Sequence, residues 1–162
     1  MNGKLIVLLT LASGLVLLTS VATARPSAMK QQVEITTWGV ADISSVGKFE
    51  LTPLSSGGLK PDSGTGTSVI ASRRTVTRDG QTAEIVTWIS TQKGKRGSFV
   101  VRARIEHIDA GNGFHIGTGT WKFVRGTGAY AGMTGGGRVA NAWIGFGSHG
   151  LSERWDGFLS LP

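Results

Sequence analysis

The sequence predicts an all-β domain, a single eight-stranded antiparallel barrel with glycine-rich turns. Three observations predict it. Apolar and polar residues alternate with period two from end to end, and no long segment keeps a helical period. Glycine supplies 25 of the 162 residues, more than double its usual share of about 7%. Those glycines form no tract. They fall between β-branched and aromatic runs, as a strongly curved sheet with tight turns requires.

The chain opens on a secretory leader. Lys4 and the amino terminus give a short positive start, and Leu5 to Leu18 is an apolar run of 14 residues. Ala22-Thr23-Ala24 supplies the small-x-small pattern that signal peptidase accepts, so residues 1–24 are expected to be removed. A membrane-spanning helix wants about 20 apolar residues, and this run is too short. The remaining 25–162 are expected to form one barrel domain, secreted or periplasmic, with no transmembrane span in the mature form. No cysteine is present, which excludes disulfides and thiolate metal sites.

Eight strands follow in order, at roughly 33–41, 47–52, 68–77, 82–91, 98–108, 114–124, 138–146 and 152–161. Asp79-Gly80 suits a two-residue hairpin, because both positions tolerate positive φ. Gly94 to Gly97 and Gly111-Asn112-Gly113 serve the same purpose, and Pro53 to Thr67 reads as a long surface loop. In the fifth strand Phe99, Val101, Ala103, Ile105 and His107 share the inward row. Val100, Arg102, Arg104, Glu106 and Ile108 share a charged outward one. Consecutive hairpins without helices favour a closed up-and-down barrel, which also removes exposed strand edges.

The formal charge is +7, and the leader would take one positive charge with it. A basic exported domain suits anionic polymers such as teichoic or heparin-like chains, with Arg102, Arg104, Lys93, Lys95 and Arg96 as contacts. Nucleic acid is not an expected partner, since the leader removes the chain from the cytoplasm. Val100 and Ile108, apolar ends of the outward row, are the expected seed of a homo-oligomer contact.

The segment from Trp121 to Gly137 carries a resemblance. Gly126-Thr127-Gly128, then Tyr130, Gly132 and Gly135, resembles the strand–turn–strand signature of the allene oxide cyclase and dirigent-like barrels. Arg125 stands where those families often have a further glycine. The resemblance implies an eight-stranded barrel whose cavity shapes a reactive guest, by cyclisation or by orienting a radical coupling. No catalytic residue carries over, because Gly126, Gly128, Tyr130 and Gly132 make a structural turn, with Tyr130 and Met133 folding back against the barrel floor. No helix follows the turn, so it does not cradle a phosphate.

The chemistry-bearing residues each have two readings. Glu84 shares a row with Val86 and Trp88, so it is either a buried acid able to move protons or the partner of Arg73 or Arg74. Glu153, Arg154 and Asp156 read as a salt-bridge set at the rim. His107 and His115 can meet across a hairpin, with His149 far away, and no third ligand is evident; neither a metal nor a cofactor is expected. Trp88, Trp121, Trp143 and Trp155 sit one to a strand, forming either core or the wall of a site for a small apolar molecule.

Overall fold

The computed structural model of the chain describes residues 29–40, 44–145 and 150–162. The expected leader and cleavage point, and His149, lie outside the described residues. The strands are β1 (Lys30–Gly39), β2 (Ser44–Pro53), β3 (Asp62–Arg78), β4 (Gln81–Gly94), β5 (Gly97–Asp109), β6 (Phe114–Gly126), β7 (Thr134–Ile144) and β8 (Leu151–Ser160). Each pairs antiparallel with the next, and β8 returns to pair with β1, which closes the sheet into a ring. Closure places Thr37 opposite Glu153 and Ile35 opposite Trp155. Among the described residues no helix is long and apolar enough to cross a membrane.

The inward rows meet in one core. Val33, Ile35, Phe49, Leu51, Phe99, Val101, Trp121, Trp155 and Leu159 are all nearly inaccessible. Fully burying each such side chain contributes about 1.5–3 kcal/mol. Glycines on the inward rows make room for the large rings. Trp121 lies opposite Gly137, which lies opposite Gly157. A side chain at Gly137 would run into the backbone carbonyl of Asp156, the oxygen to which Trp121 Nε1 donates at 3.3 Å.

Turn chemistry follows the sequence. Asp79 and Gly80 both adopt positive φ, 51° and 78°, which matches the twist of the hairpin they join. At the opposite end, the lower one, Gly128–Tyr130 forms a 3₁₀ turn that tucks Tyr130 and Met133 under the core. Asp62 locks this floor. Its carboxylate accepts from Tyr130 Oη at 2.8 Å and from the backbone N–H groups of Ser63, Lys95 and Arg96 at 2.8, 3.0 and 3.1 Å. Burial raises the pKa of Asp62, but these four donors outweigh it and hold the carboxyl below its ordinary value. Burial and the Asp62 contact push the Tyr130 phenol up.

Two segments differ from the sequence expectation. The expected 53–67 loop spans only 54–61, because β3 begins at Asp62 and pairs with both β2 and β4 through Gly64 and Gly66. Those glycines are there for closeness: a Cβ on Gly64 would meet the Lys93 carbonyl and one on Gly66 the Gln92 side chain. Likewise β7 starts at Thr134, so Gly135, Gly136 and Gly137 are strand and not turn. On the outer wall Val100 is only 7% exposed, so it is not open to a partner. Ile108, Ile116, Phe114 and Ile144 form an accessible apolar group at the upper rim instead.

Candidate functional site

Above the packed core, the ring encloses a chamber. Its walls are Val86, Trp88, Ala103, Ile105 and Trp143, with Trp155 beneath and His107, Asn141 and Glu153 as polar groups. The enclosed free space is small, about 30 Å³, close to one water molecule's share of the liquid. Arg73 and Glu84 stand at the mouth, joined by an ion pair at 3.0 Å with side chains 40% and 32% exposed.

Glu153 is the interior acid. Strand alternation turns Trp155 and Glu153 inward together, while Arg154 and Asp156 face out. Arg154 Nε and Asp156 pair at 3.1 Å, and Arg154 Nη2 lies 2.7 Å from Glu34. The expected rim set of Glu153, Arg154 and Asp156 is therefore split by parity. Inside, Glu153 accepts from Thr37 Oγ1 at 2.8 Å and from Asn141 Nδ2 at 3.1 Å. The carboxyl is packed about by protein, so burial raises its pKa above the ordinary glutamate value. The donors Asn141 and Thr37 oppose that shift, as does the nearby Trp155 indole. The Trp155 N–H does not reach hydrogen-bond geometry.

Asn141 joins this acid to His107, with its Nδ2 3.3 Å from His107 Nε2. Buried within the wall, His107 has a pKa lowered to about 4, first by desolvation and then by the charges of His115 and Arg73. It is neutral at pH 7, and its Nε2 accepts from Asn141, which assigns the proton to Nδ1. Gly117 makes the arrangement possible: a Cβ there would collide with the His107 ring and with Asn141 Oδ1. Among the buried polar atoms of chamber-lining residues that lack a hydrogen-bond partner are Trp88 Nε1, Trp155 Nε1 and Asn141 Oδ1. A buried donor and acceptor left unmet cost free energy that a guest or water can recover.

The sequence-nominated residues divide accordingly. Trp88, Trp143, Trp155 and His107 line the chamber. Of the arrangements open to Glu84, the pair with Arg73 is the one observed, and Glu153 is the half-buried acid that lines the chamber with its pKa raised. Trp121 belongs to the packed core, 6.2 Å from Trp155. His115 and His107 line one surface pocket. They flank Trp143, with His115 stacked at 5.1 Å and His107 edge-on at 4.6 Å. Among the described residues no three His, Cys, Asp or Glu side chains converge to hold a metal. Gly126, Gly128, Tyr130 and Gly132 make the floor turn, far from the chamber.

His107 sets a pH response. Its folded pKa, about 4, lies below its ordinary value, so the unfolded chain binds the proton more tightly. Stability is full above about pH 6.5 and declines as pH falls towards 4, by roughly 3 kcal/mol. Urea denaturation at pH 7, 5.5 and 4.5 should show that decline in the wild type and a flatter profile in His107→Gln. Parallel profiles would contradict this assignment.

No family model matches the chain, and no curated protein or solved structure matches it.

Proposed function

We propose that this chain is an exported β-barrel whose upper chamber binds one small, largely apolar molecule carrying a polar group. The observation that carries the reading is the chamber's make-up. Indole and aliphatic surfaces surround an unmet donor, Trp88 Nε1, and an unmet acceptor, Asn141 Oδ1. Binding sites for small molecules have this character, mostly apolar with a few convergent polar groups. Because the enclosed space is small, a guest larger than a few atoms enters by opening the Arg73–Glu84 pair and displacing Trp88, which is itself partly exposed. The likeness of the Gly126–Gly132 turn to allene oxide cyclase and dirigent-like barrels supports the same reading. If the guest is also transformed, Glu153 is the group placed to give or take a proton, since it keeps one to higher pH than a free glutamate.

Native mass spectrometry of the protein purified from its own host tests this. The expected result is a mass excess of one small organic molecule that is lost on denaturation. Protein of bare mass that also takes up no compound from a small aromatic library would count against the reading.

A further inference from the structure

The outer wall of β5, β6 and β7 carries a band of cations that outnumber the acids beside them. On β5, Arg102 and Arg104 point outward. Register places Lys122 of β6 directly opposite Arg102, and Thr120 opposite both Arg104 and Arg138 of β7. Four cations thus surround one threonine, and all four are exposed. Like charges directly opposite on a sheet destabilise it, so the fold tolerates this pattern at a cost. Asp156 lies across β7–β8 from Arg138, and its carboxylate pairs with Arg154, as does that of Glu34. Among the described residues, Glu106 is the only acid on the outward rows of these strands. A shallow groove lined by Arg104, Glu106, Thr118 and Thr120, with Ile108 and Ile116 at one end, runs beside the cluster.

The contact set suggested by the sequence is divided by the structure. Lys95 and Arg96 form the β4–β5 turn beside the floor, where their backbone N–H groups hold Asp62 and Arg96 Nε donates to the Pro61 carbonyl. Lys122 and Arg138 complete the patch instead, and only cross-strand register reveals them.

We propose that this face docks a linear polyanion bearing repeated phosphate or sulfate groups, independently of the chamber. Directly opposed side chains start about 5 Å apart and next-but-one residues along a strand about 7 Å apart. Successive anions on one chain can therefore each meet a cation, and the arginines can grip two oxygens at once. The patch lies mid-wall on a convex surface, below the apolar rim of Ile108, Ile116, Phe114 and Ile144. A flexible chain follows that curvature, whereas a flat anionic bilayer meets it along one line.

The test uses the full mature chain with heparin and long-chain polyphosphate as separate probes, titrated at several salt concentrations. Binding to either probe is expected to weaken linearly on a log–log salt plot, and whichever binds more tightly identifies sulfate or phosphate as the group read. The double variant Arg102→Ala/Lys122→Ala should lose at least tenfold in affinity while melting no lower than wild type, since it relieves a like-charge pair. Lys122→Glu should also lose binding and melt higher. The charge-matched control Lys93→Ala/Lys95→Ala should change affinity less than threefold. Equal losses in both double variants would overturn the proposal, leaving only net charge at work. So would binding to phosphatidylglycerol vesicles without binding to either polymer, or no polymer binding at low salt.

Discussion

Asp62→Ala should destabilise the domain by about 3–5 kcal/mol, the largest polar effect in the structure. The substitution strips the floor of one acceptor that serves four donors, Tyr130 Oη and the backbone N–H groups of Ser63, Lys95 and Arg96. Those groups stay buried or half-buried with nothing of equal strength to meet. Tyr130→Phe removes only one bond and should cost about 1–2 kcal/mol. If the floor acts as one unit, the double variant will fall well short of the sum. Because the folded pKa of Asp62 is depressed, its contribution is present above the ordinary carboxylate range and lost as pH falls through the folded value. Urea melts at pH 7 and pH 3 read both effects. An Asp62→Ala variant within 1 kcal/mol of wild type at pH 7 would show that water replaces the lost acceptor.

Trp155→Ala should cost a similar amount, about 3–5 kcal/mol, by removing a side chain that is 1% exposed. Its indole separates the packed core from the chamber, between Trp121 below and Glu153 above. Deleting it should merge the chamber with a new apolar hollow. Free indole at millimolar concentration should then raise the melting temperature of the variant more than that of wild type. A variant destabilised as expected but indifferent to indole would mean that the core collapses into the space.

Much of the architecture was legible in the sequence because period two is a strong signal when one face is buried. The inward row from Phe99 to His107 needed nothing else. The Asp62–Thr67 segment misled because Ser, Gly and Thr mark loops by composition, and only the neighbouring strands show that Gly64 and Gly66 permit close packing. The site was less legible. Glu153 shares its parity with Trp155, so the signal was present, but Arg154 and Asp156 beside it suggested a surface set. Its partners come from β1 and β7, and Thr37 is 116 positions away along the chain. That contact exists only because the ring closes. The same holds for the opposed pair Arg102 and Lys122, since register between strands is not visible in either strand alone.

The chamber itself is open to one direct measurement. Three of the five tryptophans line it, so intrinsic fluorescence titrated with small aromatic carbonyl compounds reports an occupant at the wall. Ala103, buried in that wall, is the place to fill it: Ala103→Leu adds volume where a guest would sit. Saturable quenching at one equivalent in the wild type, weakened at least tenfold in a folded Ala103→Leu protein, is the predicted result. Titration curves that coincide for the two proteins, or wild-type fluorescence that never saturates, would contradict an interior binding site.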